Sequence, residues 1–245
     1  MTLPKIALLL AVCFGAGAAG AGASGLREAP PGGTLLPAAA GLAAAGWHDD
    51  ALAGVDLDVM ALALRATTCA VERGDLAAAP ATLTVIDYSK PSTSERLWVF
   101  DLATRALLHH ELVAHGQGSG GNMATHFSNT ADSHQSSLGL FVTGETYVGQ
   151  NGYSLRMQGL DAGFNDHAYE RAIVIHGAPY VDAAVAARQG RLGRSWGCPA
   201  LRAPIARTVI DRIKGGGAVF AYSPDRAWLQ ASKFLSGRCQ PTART

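Results

Sequence analysis

The stretch RAIVIHG, residues 171–177, decides the fold. Ala172 to Ile175 form an unbroken apolar run that ends in His176 and Gly177. Such a run suits a strand covered on both faces. Upstream, GYSLRMQGL (152–160) alternates Tyr153, Leu155 and Met157 with Ser154, Arg156 and Gln158, the period of a strand. LGLFVTG (138–144) precedes it as another strand. Further back, TLTVIDYS (82–89), RLWVFDL (96–102) and ALLHHELVAHG (106–116) read as three short strands joined by turns rich in Pro, Ser, Asp and Thr. AVFAY (218–222) supplies the last strand. Many short strands with few helices predict a mostly β fold, a sandwich or open barrel with a few peripheral helices.

The helical signals are local. Leu57, Met60, Ala61, Leu64 and Val71 fall on one stripe and Gly74 is a stop, so residues 56–79 are assigned to an N-terminal helix and its exit. A short helix is expected near Ala183–Arg188. In APIARTVIDRIKGGG (203–217), Pro204 suits a first turn, Ile205, Val209 and Ile213 make the stripe, and the glycines end it. Residues 116–137 are a long polar stretch with too little apolar content for core, and loops of that length are usually functional or mobile. The main domain is expected over 80–224, with 225–245 as a C-terminal tail.

With 245 residues, 48% of them hydrophobic and 16% charged, the chain is globular rather than disordered. Its start reads as an export signal over residues 1–23: Lys5, the apolar IALLLAVCFGAGAA (6–19), then small residues at Ala21–Ala23. A lipid-anchor reading of LAVC, ending at Cys13, is disfavoured by bulky Val12 and by the apolar run continuing past the cysteine. Residues 24–55 read as an Ala/Gly/Pro-rich tether. Loss of Lys5 takes the Lys+Arg count from 20 to 19, equal to the 19 acids, so the mature chain is formally neutral. That argues against a nucleic-acid partner and against a polybasic membrane anchor. No later stretch reaches transmembrane length, so a periplasmic or envelope location with no span after signal removal is expected.

Four cysteines become three once Cys13 leaves with the signal: Cys69, Cys198 and Cys239. Export permits disulfides, and an odd count leaves at least one thiol over. Either all three are unpaired, or Cys69 bonds Cys239 and Cys198 stays free.

Cys198 lies in GRSWGCPALR (193–202), after Ser195, Trp196 and Gly197 and before Pro199. Thiol catalysis needs a thiolate, a base, and donors aimed at the developing oxyanion. His176, at the end of a buried strand, suits the base, and the peptide N–H groups of Gly197 and Cys198 suit the oxyanion hole. A bland alternative stands beside this: a locally satisfied histidine and a small buried thiol.

IVIHGA followed by GRSWGCPAL resembles the catalytic signature of the L,D-transpeptidases (YkuD-like), closest to the murein L,D-transpeptidase catalytic domain branch, over roughly residues 80–224. The resemblance implies that Cys198 is the nucleophile and His176 its base, with Ser195 bracing the loop. It implies a peptidoglycan stem tetrapeptide as acyl donor, a thioester at the diaminopimelate carbonyl, release of D-alanine, and a diaminopimelate amine as acceptor in a 3–3 cross-link. It also implies acylation by carbapenems, and no cofactor. Water as the acceptor would make an L,D-carboxypeptidase instead, and loss of turnover a peptidoglycan-binding domain. An ion pair with His176 would let Cys198 alkylation persist below the ordinary thiol value of about 8.5.

This chain departs from commoner members at Trp196, where they carry histidine, and at Ala200, where they often carry Arg or Asn. Trp196 is therefore expected over the acyl chain, and Arg194 or Arg202 as the carboxylate ligand. Gly177 and His115 are further candidates for the substrate side; His115 otherwise reads as a loop histidine bonded to backbone. Eight histidines prompt a search for metal, but no His/Cys/Asp/Glu spacing in the chain suits a zinc site, and none is assigned.

Overall fold

A computed structural model of the chain describes residues 41, 45–76, 79–237 and 239. The expected export signal, and the expected tether up to residue 44 apart from Gly41, lie outside the described residues. Nine strands form one sheet: β1 (Thr82–Asp87), β2 (Leu97–Asp101), β3 (Leu107–Glu111), β4 (Val113–Ala114), β5 (Gly139–Gly149), β6 (Gly152–Gly159), β7 (Val174–Ala178), β8 (Ala200–Arg202) and β9 (Ala218–Tyr222). Their order is β3-β2-β1-β9-β5-β6-β7-β8-β4. The outermost strands, β3 and β4, are separated in the chain by Leu112 alone, so the sheet must curl until its two edges meet. The mostly β, open-barrel expectation holds. Pairs β1/β9 and β7/β8 are parallel and the rest antiparallel.

The helices sit on this sheet. Asp56 caps α1 (Leu57–Arg73) by accepting from the amides of Asp58 and Val59, and Gly74 ends it at φ 76°. The buried face is Val59, Met60, Ala63, Ala66, Cys69 and Ala70, rotated from the stripe read in the sequence. Alanines let the helix approach the sheet closely, so small residues rather than the leucines took the inner face. Short α2 (Ala183–Gln189) follows β7, capped by Asp182. In α3 (Ala203–Ile213) the buried residues are Ala206, Val209, Ile210 and Ile213, with Ile205 left at the margin. Among the described residues, no helix is long and apolar enough to cross a membrane.

Two segment expectations need correction. Residues 47–55 are packed rather than a free tether: Trp47, Leu52 and Val55 are buried, and Trp47 meets Phe100 edge-on at 5.5 Å. The C-terminal region is no loose tail either, because α4 (Arg226–Ala231) buries Trp228 completely. The Trp228 indole N–H donates to Asp161 Oδ2 at 3.0 Å, and the Ser232 hydroxyl donates to the same oxygen at 2.9 Å. Beyond them, Cys239 is disulfide-bonded to Cys69 on α1, with Cα atoms 5.5 Å apart, and among the described residues Cys198 is the free cysteine.

Candidate active site

Strand register brings His176 and the cysteine loop, the two candidate reactive positions, together. In β7, His176 pairs with Ser154 of β6 on one side and with Ala200 of β8 on the other. Cys198 lies two residues before Ala200, so the same parallel pairing carries the cysteine loop to the Val174 end of β7, and His176 stands in the middle of the strand rather than at its end as the sequence suggested. Gly177 permits the arrangement from behind: a Cβ there would lie 2.9 Å from the Ala206 Cβ of α3. The helix packs directly on the strand backbone, which is what the covered RAIVIHG run required.

Polar bonds from distant segments hold the cysteine loop. Ser195 Oγ donates to the Cys198 carbonyl at 2.6 Å and accepts the Gly197 N–H at 3.1 Å. The Ser195 backbone bonds His115 O and Gln117 N. Ser136, from the long polar stretch, donates its hydroxyl to Gly197 O at 3.0 Å while accepting the Gly116 N–H at 3.0 Å. Gly197 has φ +118°, and a Cβ there would press within 2.8 Å of Gln135 O. A side chain at 197 would break this contact and strain the backbone.

His176 and Cys198 open on one cleft of about 290 Å³, shared with Tyr180, Arg194 and Trp196 and with Gln150 and Asn151 at the turn between β5 and β6. The sulfur receives the Val174 N–H at 3.5 Å and its thiol donates to Ala172 O at 3.6 Å. His176 is not among its hydrogen-bond partners. His176 Nδ1 lies 3.0 Å from Gly177 O. A carbonyl only accepts, so Nδ1 carries the proton and Nε2 keeps a free lone pair. Burial pushes the Cys198 thiol up, against smaller opposite pulls from the Val174 N–H and the Arg171 charge. Burial also pushes His176 down, against its bond to Gly177. Both shifts favour the uncharged forms, the opposite direction to the ion pair that the sequence reading considered, because desolvation outweighs the favourable contacts.

Other expected site residues divide. Ser195 sits in the loop as a brace, and Trp196 lines the cleft, 73% exposed. Arg194 lines it while its Nη1 donates to Gly120 O at 2.8 Å, fixing the guanidinium at the rim. The Gly197 N–H is taken by Ser195 Oγ, while the Trp196 and Cys198 N–H groups have no hydrogen-bond partner among the described residues. Arg202 does not line the cleft and makes a two-pronged bond to Glu111, 2.7–2.9 Å. Gly177 lies under α3, and it is its carbonyl that matters, as the acceptor for His176.

His115 is fully buried and away from the cleft lining. Its Nδ1 accepts from Arg96 Nη2 at 2.8 Å, and burial, followed by the Arg96 charge, lowers its pKa to about 4. It touches the site only through its carbonyl. Sequence reasoning missed Tyr180 and His134 as cleft or loop partners. Arg171 donates to Ser128 O, Ser137 Oγ, Ser133 Oγ and Gln135 O, lacing the long polar stretch to the wall of the site. Only the length and polarity of 116–137 hinted at this.

The chain belongs to the family of L,D-transpeptidase catalytic domains, whose sequence model matches residues 52–222, more than half of the 245 residues. No curated protein sequence matches it. Among solved structures it is similar to an L,D-transpeptidase from Mycobacterium smegmatis, at 14% identity over 60% of each chain, TM-score 0.36. L,D-transpeptidase 3 from Mycobacterium tuberculosis gives 13% identity over 60% of this chain and 63% of that one, TM-score 0.38. An L,D-transpeptidase from Xylanimonas cellulosilytica gives 14% over 58% and 61%, TM-score 0.34. The aligned region thus spans less than two thirds of these relatives. The sequence match, not these loose superpositions, places the chain in its family.

Proposed function

We propose that this protein is an exported cysteine L,D-transpeptidase acting on peptidoglycan stem peptides. One observation carries the reading: within a chain of this family, the free cysteine and a histidine with an unprotonated Nε2 open on the same cleft. His176 Nε2 takes the thiol proton as Cys198 attacks the diaminopimelate carbonyl, and the Gly177 carbonyl steadies the imidazolium through Nδ1–H. The oxyanion is met by the Cys198 N–H and by Tyr180, whose hydroxyl burial pushes up to about 12, so it stays a donor. Collapse expels D-alanine with the proton from His176 and leaves a thioester on Cys198. An amine then displaces the sulfur, giving the 3–3 cross-link. Arg194, at the rim, suits the stem-peptide carboxylate. The Cys69–Cys239 bond supports an oxidising compartment, in keeping with export.

Incubation with a disaccharide-tetrapeptide, read by mass spectrometry, tests this. Dimers lacking one D-alanine are expected from the wild type and none from Cys198→Ala. Tripeptide monomer alone would make the enzyme an L,D-carboxypeptidase, and unchanged tetrapeptide would remove the catalytic reading.

A further inference from the structure

The surroundings of the Cys198 sulfur converge on a side chain that the reaction above does not use. Arg171 stands just before β7, and the residue after it, Ala172, offers its carbonyl to the Cys198 thiol at 3.6 Å. Val174 gives the same sulfur its N–H at 3.5 Å. The backbone of 172–174 is thus the seat of the sulfur. Ala172 holds φ +53°, a conformation that a non-glycine residue keeps only where its surroundings over-determine it.

The Arg171 guanidinium reaches the other way, into the long polar stretch. Its Nη1 donates to Ser128 O and Ser137 Oγ, both at 2.6 Å, and its Nη2 to Gln135 O at 2.8 Å and Ser133 Oγ at 3.1 Å. One planar fork therefore gathers both ends and the middle of segment 128–137. Three successive residues of that segment then grip the cysteine loop. The His134 ring stacks on Trp196 at 4.8 Å with planes 8° apart. Gln135 O sits where a Cβ on Gly197 would come within 2.8 Å, and Ser136 Oγ donates to Gly197 O at 3.0 Å. Backbone to seat and guanidinium to grip, two separate lines of contact with the nucleophile meet in one residue. Arg171 does not line the cleft on which Cys198 and His176 open.

We propose that Arg171 is a positioning residue of the acyl-transfer reaction: its fork locks segment 128–137 and the 172–174 backbone into one frame, and that frame sets the approach of the Cys198 sulfur to His176 Nε2 and to the acyl carbon. The inference rests on Cys198 being the acylated residue. Attack at carbon tolerates little misplacement, and a shift of about 1 Å costs about 100-fold in rate. Lysine is no substitute, because an ammonium is a point donor that cannot meet these four acceptors in one plane.

The test compares wild type, Arg171→Lys and Arg171→Gln in the first turnover with the disaccharide-tetrapeptide, following D-alanine release against donor concentration and the thioester by intact mass. Rates are normalised to the Cys198 sites that finally become acylated, so unfolded protein lowers the yield and leaves the rate per site. Arg171→Lys should lose about tenfold and Arg171→Gln about 100-fold in maximal rate per site, with the half-saturating donor concentration within about twofold of wild type. The lysine variant, which keeps the charge, carries the test alone if the glutamine variant does not fold. A full rate per site in Arg171→Lys overturns the proposal, because charge without the fork would then suffice. A raised half-saturating concentration at an unchanged maximal rate also overturns it, by moving Arg171 into donor binding. A wild type that forms no thioester overturns the proposed function as well, and the wild-type trace alone reveals that outcome.

Discussion

Burial acts on Cys198 and His176 in opposite senses, raising one and lowering the other, and each shift favours the uncharged form. The thiol must then lose its proton during attack rather than before it. Alkylation of Cys198 by iodoacetamide should therefore keep climbing with pH past the ordinary thiol value of about 8.5, with no reactive plateau near neutrality; a plateau at pH 6–7 would mean a resting ion pair. His176→Ala should slow acylation by roughly 100-fold or more while hardly moving that alkylation curve. Ser136 offers a complementary test. Replacing it with Ala strips partners from the buried Gly116 N–H and Gly197 O, at a cost of about 2 kcal/mol seen as a lower urea midpoint, with slower acylation. Both candidate reacting residues were legible in the sequence because each sits beside a glycine in a recognisable motif, although His176 lies in the middle of β7 rather than at its end. Tyr180 and His134 were not, since their places depend on a loop crossing far in sequence from Cys198.

Among the elements, strands were read more faithfully than helices, because an unbroken or alternating apolar run has few other uses, but ALLHHELVAHG, read as one strand, breaks at Leu112 into β3 and β4 at the two outer edges of the sheet order. The RAIVIHG run became β7, covered by α3 on one side. Helix facing was harder: period alone does not say whether alanines or leucines face inward when close approach is favoured, and α1 turned its alanines in. The contact between Gly177 and Ala206 is the tightest expression of that closeness on α3. Gly177→Val should push helix from strand and lower stability by about 2 kcal/mol in denaturant unfolding, with the neighbouring His176 displaced; an unchanged midpoint would show that α3 yields freely. The long polar stretch was legible as functional but not as structured. Its order comes from Ser119, Ser136 and Arg171, hydrogen bonds that no hydropathy pattern encodes.

For the whole molecule, the Cys69–Cys239 bond and the buried His115 each add a testable contribution to the stability of the apolar core. The Cys69–Cys239 bond closes a loop with a sequence separation of 170, so its removal by Cys69→Ser should cost about 2–5 kcal/mol. His115 makes stability pH-dependent. Unfolded, it takes a proton near 6.5; folded, only at about 4, because burial and the Arg96 charge disfavour the cation. Between those values the unfolded chain binds more protons, so stability present above pH 6.5 is lost as pH falls towards 4, by at most about 3 kcal/mol. His115→Gln should flatten that limb of the urea-midpoint curve, and an unaltered slope would place the loss elsewhere. The central claim, that Cys198 forms an acyl-enzyme, is met most directly by intact-mass and peptide mapping after exposure to a carbapenem. The account predicts one adduct, on the peptide containing Cys198 and absent from Cys198→Ala; an unmodified wild type, or an equal adduct on the variant, would contradict it.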